Sequence, residues 1–134
     1  MKYVLPYLIF NVAVWLPWGL ICIFDLATIQ NIIGVTSVTA SGSTDVRVMY
    51  GGVQTAMGLM AARALYAQRH FETFLHALAI MGCTMALSRT IGLIIDGSST
   101  LYTWGVLLYE ASAGISAIVW LKFLSRQQRE AREA

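Results

Sequence analysis

The sequence predicts an all-α integral membrane protein, an antiparallel bundle of four transmembrane helices with a long first extracytoplasmic loop. Three observations carry that expectation. The 134 residues are 57% hydrophobic and only 12% charged, far from the roughly 25% charged residues of an average soluble domain. The apolar residues gather into four runs, each close to the about 20 residues a helix needs to cross a hydrocarbon core of roughly 30 Å. The links between the later runs are so short that consecutive helices must be antiparallel neighbours. A single membrane domain over residues 1–134 is expected.

The first run, LPYLIFNVAVWLPWGLICIF, covers residues 5–24. Lys2 precedes it as in a secretory signal, but no A-x-A-like cleavage site follows, and Trp15, Pro17 and Trp18 interrupt the apolar core. It reads as a retained helix, bent near Pro17. The segment 25–46, DLATIQNIIGVTSVTASGSTDV, has apolar content of its own but is too short to span again. It is expected as a loop that lies along the interface or folds over the mouth of the bundle as a lid.

The second span is expected over 47–67, followed by the link QRHFE, the third over 73–95, followed by DGSST, and the fourth over 102–123. The tail 124–134 mixes charge signs at helical spacing and reads as the solvated end of the fourth helix. Four spans put both termini on one side. That side collects Lys2, Arg63, Arg69, Lys122, Arg126, Arg129 and Arg132, while the other has Arg47 and Arg89 with Asp25, Asp45 and Asp96. The positive-inside rule then places both termini in the cytoplasm.

A net charge of +2, with no basic groove interleaved with aromatics, argues against a nucleic-acid partner. Cys22 and Cys83 fall inside expected helices without Cys-x-x-Cys or Cys/His spacing, so no metal and no cofactor are expected. They read as buried, inert thiols at depths too different for a disulfide. His70 and His76 lie toward the cytoplasmic side, as an interfacial and a packed residue.

The informative feature is polar. Asp45 follows the turn-forming ASGST, where a helix N-cap belongs. Arg47, Tyr50 and Gln54 follow at i, i+3 and i+7, on one face of a helix, while Gly51, Gly52 and Gly58 permit close helix approach. The third span carries Arg89 beside Ser88, with Asp96 seven residues on and hence on the same face. The fourth carries Glu110, with Tyr109 and Ser112 close by. In the first span, Asn11, Trp15, Trp18, Cys22 and Asp25 form a seam-like stripe, which taken alone reads as packing, although its polar ends also suit an inward face whose tryptophans wall an apolar pocket.

Charged groups at membrane depth cost several kcal/mol or more if they face lipid, so Arg89 and Glu110 should face inward and pair. The simpler outcome is an Arg–Glu bridge that fixes helix register. The sharper one is a cavity in the outer half of the bundle, with ligand-binding residues Arg47, Tyr50, Gln54, Arg89, Asp96, Glu110 and Trp18. The two arginines would then be donors to an anionic head, a task that suits the planar guanidinium fork.

DVRVMYGGVQTAMGL, the downstream Arg89 with IIDG, and a glutamate in the last span together resemble a family of small bacterial four-helix membrane proteins described as a domain of unknown function. Its pattern is acidic-or-Asn/x/Arg/x/x/Tyr/Gly/Gly opening the second span and Arg…Asp-Gly ending the third. The resemblance implies a multi-pass protein of the bacterial inner (cytoplasmic) membrane, with the motif at Asp45, Arg47, Tyr50, Gly51, Gly52, Arg89, Asp96, Gly97 and Glu110. It implies no activity.

The leading functional expectation is therefore a protein that binds an amphiphilic or lipid-like small molecule, or serves as accessory subunit of a membrane complex. The alternative is an intramembrane enzyme in which Glu110 or Asp96 is a general acid or base and Arg47 or Arg89 stabilises developing charge. Against it, the sequence has no nucleophile motif and no cofactor fingerprint. An oligomeric transporter is a third reading, for which four short helices leave little room in one chain. The expected partners are a membrane lipid or amphiphile, a membrane-protein complex, or further copies of the chain.

Overall fold

The computed structural model describes residues 4–67 and 70–133, and among these every regular element is a helix. Lys2 and Arg69, both part of the charge asymmetry above, lie outside the described residues. The chain forms two compact units, one ending at Phe71 and the other beginning at Glu72.

The first unit opens with α1 (Val4–Phe24), whose 21 residues run through Pro17. Its buried residues, Leu8, Asn11, Trp15, Gly19 and Cys22, recur three or four apart and define one face. The expected loop 25–46 is instead largely helical. Asp25 caps α2 (Leu26–Ile33), its Oδ1 accepting from the Thr28 amide at 3.1 Å, and Gly34 closes it in the left-handed region at φ 71°. Ile29 is fully buried and anchors α2. The Gln30 amide donates to Ser37 Oγ at 2.7 Å, and Ser37 Oγ lies 2.7 Å from Ser43 Oγ, tying α2 to α3 (Ala40–Val46).

The cap of α3 is Thr39, extended at φ −134° and accepting from the Gly42 amide at 3.0 Å. Asp45 is thus not the N-cap. It sits exposed inside α3, because ASGST, which reads as a turn by the weak helix propensity of Ser, Gly and Thr, continues a helix that Thr39 has already started.

From α3 the chain passes without interruption into a π-helical turn, Arg47–Gly52, and then α4 (Val53–Ala67). The Val53 amide reaches back to the Val48 carbonyl, the i→i−5 bond of a π turn. α4 packs antiparallel on α1 through small residues. A Cβ on Gly51 would lie 2.5 Å from Ile23 Cγ1, one on Gly19 2.5 Å from the Thr55 amide nitrogen, and one on Gly58 2.7 Å from the Leu16 nitrogen. These contacts descend α1 as they advance along α4, which is the close backbone approach glycine permits in membranes. Gly52 has no such role, being exposed with nothing within 4 Å of its Cβ position.

The second unit pairs most of α5 (Phe71–Asp96) with α6 (Leu101–Glu133). Gly97, at φ 63°, turns the chain out of α5, and Thr100 Oγ1 accepts from the Thr103 amide at 3.2 Å to open α6. Where the helices cross, a Cβ on Gly82 would lie 2.7 Å from the Gly114 nitrogen, and one on Gly114 2.8 Å from the Cys83 nitrogen. Cys83 is exposed, unlike the buried thiol expected, and so is His76, while Cys22 is buried. The charged end of α6 stays helical to Glu133, with Arg129 Nε on Glu133 Oε1 at 2.9 Å.

Among the described residues three helices, α1, α5 and α6, are long and apolar enough to cross a membrane. The expected second span does not meet that standard as one α-helix: its α-helical part has 15 residues, and the six before them form the π turn. Large side chains such as Phe10, Phe24, Ile80, Leu87, Ile94 and Leu108 are exposed, an apolar surface far beyond the scattered patches of a soluble monomer.

Candidate functional site

In the first unit the polar groups of the motif lie on and just after the π turn. Arg47 opens the turn and its Nη1 donates to the Ile23 carbonyl. That oxygen belongs to the last turn of α1, where carbonyls lack intrahelical partners, so the cation also sits at the negative end of the helix dipole. A guanidinium has five N–H donors, and this bond uses one. Among the described residues the other Arg47 donors have no protein partner, and neither does the hydroxyl of half-buried Tyr50. Gln54, in the first turn of α4, is only 9% exposed, and its amide likewise has no hydrogen-bond partner among the described residues.

The π turn alters the face expected from α-helical spacing. Each residue of the wider turn rotates less about the axis than the roughly 100° of an α-helix. Gly51 and Gln54 are therefore buried with Met57, Gly58, Ala61 and Ala64, while Arg47 and Tyr50 stay at the half-buried margin. On α1 the stripe also differs from expectation, because Gly19 rather than Trp18 continues the buried face, and Trp18 is half-buried beside it. Trp15 Nε1 donates to Asn11 Oδ1 at 3.3 Å and Asn11 Nδ2 to the Tyr7 carbonyl at 2.8 Å, so this part of the stripe is satisfied packing. Asp25 ends the stripe as an exposed helix cap, its carboxyl held below the ordinary carboxylate value by hydrogen bonds from Thr28, through side chain and backbone.

In the second unit Arg89 and Glu110 meet as the charge cost demands. Arg89 Nε donates to Glu110 Oε2 at 2.8 Å and Nη2 to Oε1 at 2.7 Å. Glu110 is 2% exposed and shares the buried face of α6 with Thr103, Ala113, Gly114 and Ala117. Asp96 is exposed at the last residue of α5, next to the Gly97 turn. Ser88 is exposed, and Ser112 Oγ donates to the Tyr109 carbonyl at 2.8 Å. Among the described residues no group of three or more His, Cys, Asp or Glu side chains could hold a metal ion.

A family profile described as a domain of unknown function (DUF4345) matches residues 7–121. The chain belongs to that family. No curated protein and no solved structure matches it. The matched portion of this DUF4345 chain contains the π turn, the Arg89–Glu110 pair and all the close glycine contacts, and it stops short of the charged end of α6. Gly19, Gly82 and Gly114 are the positions that sequence reasoning missed. Their signal was a small residue within an apolar run, which becomes decisive only once the facing helix is known. The π turn had no signal beyond the adjacent glycines.

Proposed function

We propose that this DUF4345 protein crosses the bacterial inner membrane four times, with both termini cytoplasmic, and holds an amphiphilic, lipid-like molecule by its anionic head at Arg47. The observation that carries this reading is the set of Arg47 N–H donors without a protein partner among the described residues, at the start of a π turn. Unpaired donors are costly where water is scarce, and π turns recur at functional sites. The guanidinium fork suits a phosphate or carboxylate, and the Tyr50 hydroxyl adds a further donor one turn away. Four crossings are supported by the unbroken helical path from Ala40 to Ala67, which lets the π turn and α4 act together as the second span. The same binding site would serve an accessory subunit that presents its lipid to a larger complex.

The test is native mass spectrometry of protein extracted with its lipids. The wild type should retain an anionic amphiphile. Deleting Gly52, which is exposed and has nothing within 4 Å of its Cβ position, should close the π turn into an α-turn and swing Arg47 and Tyr50 by about 100° relative to α4, with loss of the amphiphile from a folded protein. Equal retention by the wild type, the Gly52 deletion and Tyr50→Phe would defeat the proposal. Orientation is tested separately by labelling a Ser43→Cys variant, which should react from the extracytoplasmic side.

A further inference from the structure

Gln54 narrows the kind of molecule that the Arg47 site can take. Its side chain is 9% exposed, it lies on the buried face of α4, and its amide has no hydrogen-bond partner among the described residues. An amide brings two N–H donors and a carbonyl acceptor, and at this depth neither lipid tails nor apolar neighbours can satisfy them. A fatty acid or an isoprenoid phosphate has one polar end, so either would engage Arg47 and leave Gln54 against hydrocarbon. The pair of positions instead asks for a molecule with an anionic group and a second, neutral acceptor deeper in the membrane.

The spacing agrees with one lipid class. Arg47 and Gln54 are seven residues apart, at most about 10 Å along the helix axis, and two long side chains span part of that interval. In a glycerophospholipid the acyl ester carbonyls lie just below the phosphate, separated from it by the glycerol backbone. We infer that the molecule held is an ester-linked glycerophospholipid, its phosphate on Arg47 and Tyr50 and an acyl ester carbonyl accepting from Gln54 Nε2. This rests on the amphiphile reading above and adds the ester contact to it.

The experiment is a competition in detergent between dioleoyl phosphatidylglycerol and its diether analogue, which has the same headgroup and chains but lacks both carbonyls, read as bound adducts by native mass spectrometry. The wild type should retain the diester in about tenfold preference, the value of one well-placed hydrogen bond. Gln54→Met, similar in length and unable to donate, should bind both lipids equally at the diether level of the wild type, and it should fold because an unbranched apolar chain of similar length fills the same space. Equal retention of diester and diether by the wild type overturns the ester contact and leaves the headgroup reading standing. Retention of neither overturns both. A diester preference that persists in Gln54→Met overturns the role of Gln54.

Discussion

Arg89 holds Glu110 at two points, Nε to Oε2 at 2.8 Å and Nη2 to Oε1 at 2.7 Å, so both carboxylate oxygens are engaged by one planar fork. The side chains are 26% and 2% exposed. Toward the cytoplasmic-side end expected from the charge pattern, the same two helices also come into backbone contact at Gly82 and Gly114, where there is no room for a Cβ. The glycines set how near α5 and α6 come, but a smooth glycine contact tolerates sliding. The ion pair does not, since a slip of one residue parts the fork, and a registry role is the best-attested use of a buried pair.

Removing one partner should therefore be far worse than removing both. Arg89→Leu and Glu110→Leu should each destabilise the fold by about 3–5 kcal/mol, because each strands a charge, whereas the double substitution should fall close to the wild type. Reversible unfolding in a lipid–detergent mixture, analysed as a double-mutant cycle, gives the coupling directly. Single variants as stable as the wild type would reject a buried pair. Lipid retention measured on the double variant separates a purely structural pair from one that also serves binding.

The glycines divide into two groups with opposite expectations. Gly58→Leu and Gly114→Leu drive a side chain into backbone atoms 2.7 and 2.8 Å away, and overpacking of this kind costs about 1–3 kcal/mol or more. Gly105 lies in α6 with nothing within 4 Å of its Cβ position, so Gly105→Ala should stabilise by about 0.5–1 kcal/mol through helix propensity alone. Melting temperatures of the three variants should fall, fall and rise. A fall for Gly105→Ala would mean that another surface covers it.

How much of this was open to sequence reading depends on whether a property is local. Apolar run length is local, and α1, α5 and α6 follow from it within a few residues. The Arg89–Glu110 pair was legible because a charge at membrane depth has few affordable arrangements. Segment 25–46 was not, since α2 and α3 are short helices held by particular bonds, among them Asp25 to Thr28, Gln30 to Ser37 and Thr39 to Gly42. Their sequence, rich in Ser, Thr and Gly, competes between turn and helix. The face shared by Arg47, Tyr50 and Gln54 was read with α-helical spacing, and a π turn changes that spacing without marking the sequence.

The two thiols should differ in reactivity. Cys22 is fully buried on the α1 face, and Cys83 is exposed on α5. A small apolar maleimide that partitions into lipid should label Cys83 in the folded protein and reach Cys22 only after denaturation, as read by peptide mass mapping. Faster labelling of Cys22 would contradict the packing of α1 on α4.

The cap of α2 should respond to acid in a defined direction. Hydrogen bonds from Thr28 hold the Asp25 carboxyl below its ordinary value of 3.8. A depressed folded pKa means the ionised cap adds stability that is fully present above the unfolded value and is lost as pH falls through the folded one. The Thr28 amide donates to Asp25 Oδ1 at 3.1 Å, so its NMR shift reports that ionisation and should titrate with a midpoint below 3.8. Asp25→Asn keeps an acceptor that does not titrate. In that variant the Thr28 shift should stay flat across the same range, and protection of the α2 amides should persist at the acid end where the wild type frays. A wild-type midpoint at or above the ordinary value, or equal acid fraying in both proteins, would show that Asp25 does not hold the start of α2 through its charge.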